Sequence, residues 1–197
     1  MSEVYGLVSE SQIQVLNAPF LTGIPGISII PSMLSRETST SIKLSVVICT
    51  RDRATLLKHC LQSILNGRSK PEEIVIVDQS QQTDTAEIIA SFRKKFPAIE
   101  YYKSLPAGKS HGLNLALEKT RGDFICFTDD DCVVSPDWLE TLQHELREPD
   151  VACITGSVMP QAEANGRTFL NLVLSDKRKT ASQKTDPWRL GCVGCNM

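Results

Sequence analysis

The chain has 197 residues, of which 41% are hydrophobic and 22% are charged, and its formal net charge at pH 7 is -2. These values are typical of one globular domain with its own hydrophobic core. They argue against non-specific binding to nucleic acid, which requires a strongly basic surface.

The sequence carries no sign of a membrane span or an export signal. No segment is apolar over the length that a span requires, and the first ten residues lack the basic and apolar regions of a secretory signal. We therefore expect a cytoplasmic protein, and we leave open a peripheral position at the inner face of the membrane. Seven cysteines are present, and reduced thiols are usual in that compartment. Cys192 and Cys195 form a CxxC pair, but no second pair with zinc-ligand spacing accompanies them.

Two segments differ in their pattern. Residues 1–43 are broken by glycine and proline, so we interpret them as an N-terminal extension and linker with one short strand at Ile27–Ile30. In residues 44–197, strands alternate with helices. This alternation favours an α/β fold with a mainly parallel sheet and helices on both faces.

The predicted strands are short apolar runs. The first, Leu44–Cys49, is almost entirely apolar, as expected for a strand buried on both faces. Later runs predict strands at Ile74–Val77, Ile99–Tyr102, Asp123–Phe127 and Val151–Met159.

Amphipathic helices separate these strands. Asp52 is placed to cap the first helix, which ends near Asn66-Gly67 and has one apolar stripe, formed by Leu56, Leu57, Cys60, Leu61, Ile64 and Leu65. Asp84 and Glu87 are typical of a capping box that opens a second helix, with inward residues Ile88, Ile89, Phe92 and Phe96. A third helix is predicted from about Ser110 to Thr120. Ser135-Pro136 predicts the start of a fourth, whose buried residues are Trp138, Leu139, Leu142 and Leu146.

Three consecutive acids, Asp129, Asp130 and Asp131, follow the strand Asp123–Phe127. Carboxylates repel one another, so positive charge must offset the repulsion. Open α/β sheets bind their ligands at the carboxyl ends of their strands. The simplest occupant is a divalent cation that holds a polyphosphate, and the alternative is an acid-rich surface loop.

The alternating pair Asp129 and Asp131 can reach one side of a short turn. One or two carboxylates together with substrate phosphates are a usual ligand set for Mg²⁺ or Mn²⁺. Asp130 is expected to point elsewhere and to contact a sugar or ribose.

Polar residues also follow the first two strands. Thr50 and Asp52 come after the first strand and Asp78 after the second, and in a parallel sheet these ends lie on the same side as the acids. Asp78 is expected to accept a hydrogen bond from a ribose or base, with a turn-forming role as the alternative.

The segment Pro106–Gly112 contains glycine and opens a helix, but it lacks the spacing of a Walker motif. With help from the helix dipole, Lys109 could reach a phosphate or a base carbonyl. A solvated lysine remains the alternative. We interpret His111 as a structural or polar contact rather than a general base.

Together these motifs resemble family 2 glycosyltransferases, which have the GT-A fold. VVICTRDRATLLKHCLQSIL is similar to the family's first strand and helix, IVIVDQSQQTDT to its second-strand motif, and AGKSHGLNLALEKTRGDFICFTDDDC to its helix and DxD-type metal motif. The resemblance covers roughly Leu44 to Met197. It implies a GT-A type nucleotide-diphospho-sugar transferase fold that is incomplete at the C-terminus.

The resemblance also implies a function and a set of site residues. The function is a metal-dependent, inverting transfer of a sugar from a nucleotide-diphosphate sugar to a glycan, lipid or other hydroxyl acceptor, with Mn²⁺ or Mg²⁺ as cofactor. Asp78 would contact the nucleotide base, and Asp131 would bind the metal. The other implied contacts to nucleotide, sugar or metal are Thr50, Arg51, Asp129 and Asp130.

The catalytic base is the residue that the sequence leaves unassigned. GCVGCNM is similar to the start of the family's next motif, near the donor sugar, and the resemblance implies an acidic base farther along the acceptor half. An inverting transfer needs such a base to take the proton of the acceptor hydroxyl. Glu163, Asp176 and Asp186 lie in predicted polar loops. We therefore expect the base beyond Met197 and an acceptor half that is partly missing.

Two other interpretations remain open. The segment 129–133 satisfies the DxDx[TV] pattern of haloacid dehalogenase phosphohydrolases, in which Asp129 would be a nucleophile and Thr155 part of the second motif. That pattern normally belongs to the first strand, whereas several strand–helix units precede it here. Alternatively, the domain binds a nucleotide sugar or a partner without catalysis, and the basic segment 177–179 contacts a partner or an acidic membrane surface.

Overall fold

The computed structural model describes residues 5–6, 14–17, 42–105, 108–148, 151–156 and 179–181. Four helices lie in these ranges: α1 Ala54–Asn66, α2 Asp84–Arg93, α3 Lys109–Leu117 and α4 Trp138–Glu145. The strands there are β1 Tyr5–Gly6, β2 Gln14–Asn17, β3 Leu44–Thr50, β4 Glu73–Asp78, β5 Ile99–Lys103, β6 Phe124–Phe127, β7 Cys132–Val133, β8 Val151–Thr155 and β9 Lys179–Ala181.

The centre of the fold is a four-stranded parallel sheet in the order β5-β4-β3-β6. In β3, Val47 is paired with Val75 on one side and with Phe127 on the other. Because the four strands are parallel, their carboxyl ends all lie on one side of the sheet, here called the carboxyl end. The predicted parallel α/β architecture is confirmed.

Helices cover both faces of this sheet, as the sequence predicts. Successive residues of β3 alternate, so Val46 and Ile48 enter one hydrophobic cluster and Val47 enters the other. The first cluster is filled by α1, α2 and α4, and the second by α3. Leu57 and Leu61 of α1 are fully buried, and each such side chain stabilises the fold by about 1.5–3 kcal/mol.

A close helix–strand contact places α3 on the second face. A Cβ atom added to Gly112 would lie 2.5 Å from the Sγ atom of Cys49 in β3. Only glycine therefore lets α3 approach β3 this closely. The contact brings the N-terminal end of α3 towards the carboxyl end of the sheet.

The strands of the N-terminal extension lie outside the central sheet. Strand β2 pairs with β8 in antiparallel orientation and with β9 in parallel orientation. Strand β1 pairs with β7, with Tyr5 opposite Cys132 and Gly6 opposite Val133. The strand predicted at Ile27–Ile30 lies outside the described residues, as does 157–159, the end of the strand predicted from Val151. The division at residue 43 stays a prediction.

Two predicted helix caps do not form, and one helix begins later than predicted. Asp52 has a φ of 55°, and no side chain caps α1, whose N-cap position is Arg53. Helix α2 likewise lacks a side-chain cap, so the capping box does not form. Helix α4 begins at Trp138 rather than at Pro136. At α1, the expected cap Asp52 accepts a hydrogen bond from the backbone N–H of Gln81 instead.

Strand β6 is less buried than predicted. It begins one residue later than expected, at Phe124, and of its four side chains only that of Cys126 is fully buried. The reason is its place in the sheet, because β6 has only β3 beside it in the described order.

Candidate active site

The carboxyl end of the sheet brings together two segments that are distant in the sequence. The hydroxyl of Thr50, at the end of β3, donates a 2.6 Å hydrogen bond to Oδ2 of Asp130. Both residues are buried, with 2% exposure for Thr50 and 4% for Asp130. The acid-rich surface loop is therefore the wrong interpretation, at least for the middle acid. The predicted convergence of these strand ends is confirmed.

Arg53 supplies positive charge to the acids. Its Nη1 atom lies 3.4 Å from Oδ1 of Asp130 and 3.1 Å from Oδ2 of Asp131. Arg51, which was expected to contact the nucleotide sugar, lies beside Asp52, with 3.6 Å between Nε and Oδ2, and its predicted role stays a prediction. The sequence does contain a signal for Arg53. This cation follows β3, the acids follow β6, and the two strands are parallel neighbours.

Lys109 supplies the second cation. Its ammonium group forms an ion pair with Asp129, so the structure brings these two predicted residues together. Lys109 is the first residue of α3, after Gly108, whose φ of 93° favours glycine. The amide of Gln79 donates a 3.2 Å hydrogen bond to the carbonyl of Gly108. This bond holds the start of α3 beside the loop after β4. His111 is exposed on the same helix.

Burial and mutual repulsion still disfavour the charged forms of Asp130 and Asp131 despite these cations. Burial and the charges of Asp131 and Asp129 raise the pKa of Asp130. Burial and the charge of Asp129 also raise the pKa of Asp131. The Thr50 hydroxyl and the Arg53 charge oppose the rise at Asp130. The cluster would therefore be stabilised by further positive charge.

Asp78 ends β4 and has a different environment. Its side chain is fully buried, at 0% exposure. Oδ1 accepts a 2.8 Å hydrogen bond from the backbone N–H of Ser80, and Oδ2 accepts bonds of 2.7 Å from the Tyr101 hydroxyl and 3.0 Å from Lys103 Nζ. Burial alone would raise the pKa of Asp78, but the hydrogen bonds from Ser80, Tyr101 and Lys103 hold it below the ordinary value.

These contacts bear on the role expected for Asp78. Both carboxylate oxygens already have protein partners, and Lys103, which is about half exposed, lies between this group and solvent. The nucleotide contact predicted for Asp78 stays a prediction. Sequence reasoning missed Tyr101 and Lys103, because both belong to the following strand, β5.

The loops after β3 and β4 are tied together. The Ser80 hydroxyl accepts a 2.7 Å hydrogen bond from the backbone N–H of Asp52, and the Asp52 carboxylate accepts one of 3.0 Å from the backbone N–H of Gln81. The backbone N–H of Gln79 donates to the carbonyl of Thr50 at 2.9 Å. These bonds account for the left-handed backbone of Asp52, and they fix the loop that carries Arg53.

The carboxylates fit a divalent metal as part of its ligand set. In the part of the chain that the structure describes, no three His, Cys, Asp or Glu groups are arranged to hold a metal by themselves. The partly exposed Asp129 and Asp131 already have cationic side chains as partners. Hard oxygen donors of this kind suit Mg²⁺ or Mn²⁺ when substrate phosphates complete the coordination. The metal role predicted for these two residues stays a prediction.

Known proteins similar to this chain include glycosyltransferases. Residues 45–197 match the family model for glycosyl transferase family 2. The GalNAc(5)-diNAcBac-PP-undecaprenol beta-1,3-glucosyltransferase of Campylobacter jejuni is 30% identical over 125 residues, 62% of this chain and 40% of that protein. The glucosyl-dolichyl phosphate glucuronosyltransferase of Haloferax volcanii is 28% identical over 131 residues, 65% of this chain and 42% of that protein. The matched region thus spans less than half of either relative.

A solved structure supports the fold. The crystal structure of S. aureus TarS 1-349 in complex with UDP-GlcNAc is similar over 54% of this chain and 32% of that chain, with 24% identity and a TM-score of 0.50. This likeness shows the GT-A nucleotide-sugar transferase fold. Among the described helices, none combines the length and the apolar character that a membrane crossing requires.

Proposed function

The chain belongs to glycosyl transferase family 2, and we propose that it transfers a sugar from a nucleotide-diphosphate sugar to an acceptor hydroxyl. One observation carries the proposal most directly. The hydrogen bond from Thr50 to Asp130 joins the end of β3 to the acids after β6, and Arg53 and Lys109 place two cations in the same cluster. Acids and cations that meet at this end of a parallel sheet form a setting for a metal-bound diphosphate.

We assign the donor site to the residues around this cluster. Asp131 and Asp129 would hold Mn²⁺ or Mg²⁺, and the proposed contacts to the nucleotide sugar are Thr50, Arg51, Asp78, Lys109, Asp129 and Asp130. Arg53 is added because it contacts two of the acids. Arginine and lysine both donate charge-assisted hydrogen bonds to phosphate oxygens.

The reaction requires the acceptor oxygen to bond to the anomeric carbon while the bond to the diphosphate breaks. When bound, the metal would supply Lewis-acid stabilisation of the charge on the departing diphosphate. Arg53 and Lys109 would add fixed positive charge on the same side. The inverting outcome requires a base for the acceptor proton. We assign none of the described residues as this base.

The acceptor is a hydroxyl of a glycan, a lipid or another molecule. The names of the Campylobacter and Haloferax relatives refer to an undecaprenol diphosphate and a dolichyl phosphate. These names support a polyprenyl-linked acceptor and a peripheral position at the membrane. We propose the cytoplasm as the compartment. No role for nucleic acid is proposed.

Two alternatives to transfer differ in their support. The family match favours a transferase over the haloacid dehalogenase interpretation. The structure also places the acids after β6, which follows three other strands of the same sheet. A domain that binds the donor without catalysis is the stronger rival, because we assign no described residue as the acceptor base.

Calorimetry tests the donor site. UDP, GDP and dTDP are titrated into the folded chain with and without Mn²⁺, and we expect metal-dependent binding of at least one of them. Asp131→Asn should remove the metal dependence, while Glu72→Gln, remote from the acids, should not. The proposal fails if no nucleotide binds at millimolar concentration in the presence of metal. Sugar transfer from mixed donors to a polyprenyl-phosphate acceptor then separates catalysis from binding alone.

A further inference from the structure

The contacts of Arg53 with Asp130 and Asp131 are of a kind that a bound metal ion could replace. It contacts Asp131 at 3.1 Å and Asp130 at a longer 3.4 Å, and about half of its side chain, 53%, is exposed to solvent. Asp130 has a second and shorter hydrogen bond, 2.6 Å, from the Thr50 hydroxyl. Asp130 would therefore keep a partner if Arg53 moved away, whereas Asp131 would lose the cation closest to it.

Asp131 is also the acid to which the metal is assigned. Arg53 contacts Oδ2 of this carboxylate, so an ion that coordinates Asp131 through that oxygen must compete with the guanidinium. Exposed ion pairs are weak, typically about 0.2–1 kcal/mol, so this competition can be lost by the arginine. Arginine donors are arranged as a planar fork that fits phosphate as well as carboxylate. An arginine released from Asp131 could then bind a diphosphate.

Charge balance favours simultaneous arrival of metal and diphosphate. The three acids with Arg53 and Lys109 leave one excess negative charge. A divalent ion alone would turn that into one excess positive charge, which a bound diphosphate offsets. Each ligand should therefore strengthen the binding of the other, and thermodynamic coupling requires the effect to be reciprocal.

We propose that Arg53 is an internal counter-ion that competes with the metal for Asp131 and transfers to the diphosphate when metal and nucleotide bind together. The second part of this proposal, the transfer of Arg53 to the diphosphate, rests on the proposed function. The first part, competition with the metal, concerns the acids and Arg53 alone. Arg53 is thus assigned as a donor-binding residue.

The experiment measures Mn²⁺ binding in the absence of nucleotide, by the loss of the electron paramagnetic resonance signal of free Mn²⁺. In Arg53→Gln, we expect Mn²⁺ alone to bind roughly two- to fivefold more tightly, because one weak ion pair no longer competes. UDP, GDP or dTDP in the presence of Mn²⁺ should bind more weakly than to the unaltered chain. Arg53→Lys, which keeps the charge but loses the fork, should give intermediate values for both.

Arg68→Gln is the matched control. It removes one positive charge at the other end of α1, where Arg68 is 68% exposed and lies 3.7 Å from Glu140. Mn²⁺ binding should not change in this variant. Arg53 contacts α1 through its backbone carbonyl, which accepts a hydrogen bond from the N–H of Leu57, so changes to its side chain should leave the helix intact. Circular dichroism checks that all variants are folded.

The outcomes separate this inference from the proposed function. Tighter Mn²⁺ binding without nucleotide binding in any variant would support competition and contradict the proposed function. Unchanged or weaker Mn²⁺ binding in Arg53→Gln, or a tightening equalled by Arg68→Gln, would overturn the inference. Absence of Mn²⁺ binding in both the unaltered chain and Arg53→Gln would also overturn it.

Discussion

The two ends of the parallel sheet each hold a buried carboxylate, but they treat it differently. At the amino end, the side chain of Glu73 has no exposed surface. At the carboxyl end, that of Asp130 is 6% exposed. Both groups are buried, so burial alone does not distinguish a structural acid from one proposed to bind a ligand. Their partners make the distinction.

The partners of Glu73 come mainly from rigid parts of the chain. Oε1 accepts hydrogen bonds from the Ser45 hydroxyl and from the backbone N–H of Arg121. Oε2 lies 2.7 Å from Nη2 of Arg121 and forms an ion pair with it. The Ser45 oxygen in turn accepts a 2.8 Å bond from the N–H of Gly122. The hydrogen bonds among Ser45, Glu73, Arg121 and Gly122 join β3, β4 and the turn before β6.

At the carboxyl end, the buried acid Asp130 lies next to two further acids in addition to its cationic neighbours. Arg53 and Lys109 are each about half exposed, and Asp129 and Asp131 lie beside the buried acid. Burial is the main cause that raises the pKa of Asp130, and the negative charges of Asp131 and Asp129 raise it further. A cluster of this kind contributes little to stability and is suited to accept a ligand. The comparison predicts that equal changes at the two ends have unequal effects on the free energy of unfolding.

The largest effect is expected for Glu73→Ala. The change leaves the Arg121 N–H and the Ser45 hydroxyl without their buried acceptor, so the free energy of unfolding should fall by about 3 kcal/mol. Urea unfolding measures the change. Glu72→Ala is the matched control, because the adjacent Glu72 is 43% exposed and makes only a 3.3 Å ion pair with Lys43. A loss at position 73 no larger than at 72 would contradict the structural role.

Gly122→Ala should have the next largest effect. An added Cβ would lie 2.6 Å from Ser45 Oγ, 2.7 Å from Ser45 N and 2.9 Å from Lys43 O. Two of these are backbone atoms, which cannot rotate away as a side chain can, so we expect a loss of about 2 kcal/mol from overpacking. Gly67→Ala is the control, because its shortest contact would be 3.1 Å. Equal midpoints in thermal unfolding for the two variants would count against the close packing at Gly122.

A smaller, pH-dependent effect is expected at Asp78. Because its folded pKa lies below the ordinary value of 3.8, its stabilisation is complete above that value and is lost as the pH falls through the folded pKa. At pH 7, Asp78→Asn should lower the free energy of unfolding by about 1.5 kcal/mol, the range for hydrogen bonds to charged groups. The difference between the variant and the unaltered chain should shrink in acid.

Denaturant unfolding at a series of pH values between neutral and strongly acidic conditions measures this effect. Asp84→Asn, at an exposed position in the first turn of α2, should show no comparable pH dependence. If the penalty of Asp78→Asn were constant across that range, the hydrogen bonds to the charged carboxylate would not be its source.

The smallest effect on stability is expected for Asp131→Asn. Neutralising this acid removes repulsion from Asp129 but also loses the Arg53 ion pair, so the free energy of unfolding should change by no more than about 0.5 kcal/mol. Metal-dependent nucleotide binding should nevertheless fall at least about tenfold, given the cost of disturbing even the partners of metal ligands. A strongly destabilised variant would place Asp131 with Glu73 as a structural acid.

Much of the central fold was predictable from local pattern. The runs beginning at Leu44 and Ile74 are apolar apart from Ser45, which indicates strands buried on both faces. Their alternation with amphipathic helices predicts parallel pairing. That pairing in turn predicts the meeting of Thr50 with the acids after β6, because parallel strands end on the same side.

The errors come from contacts that local pattern does not encode. Asp52 was expected to cap α1, but the neighbouring loop supplies its partners Ser80 and Gln81. Arg53 was missed because its role depends on acids 77 and 78 residues away in the sequence. Both depend on which loops become neighbours across the sheet, which a single-sequence pattern does not specify.

Strand β1 has a practical consequence for anyone who prepares this protein. Tyr5 and Gly6 pair with the two residues that directly follow the acid triplet. An affinity tag or fusion partner attached at Met1 would therefore begin only a few residues from the strand that borders the proposed donor site. Binding constants should be compared between N-terminally and C-terminally tagged preparations, or measured after tag removal, before differences between variants are interpreted.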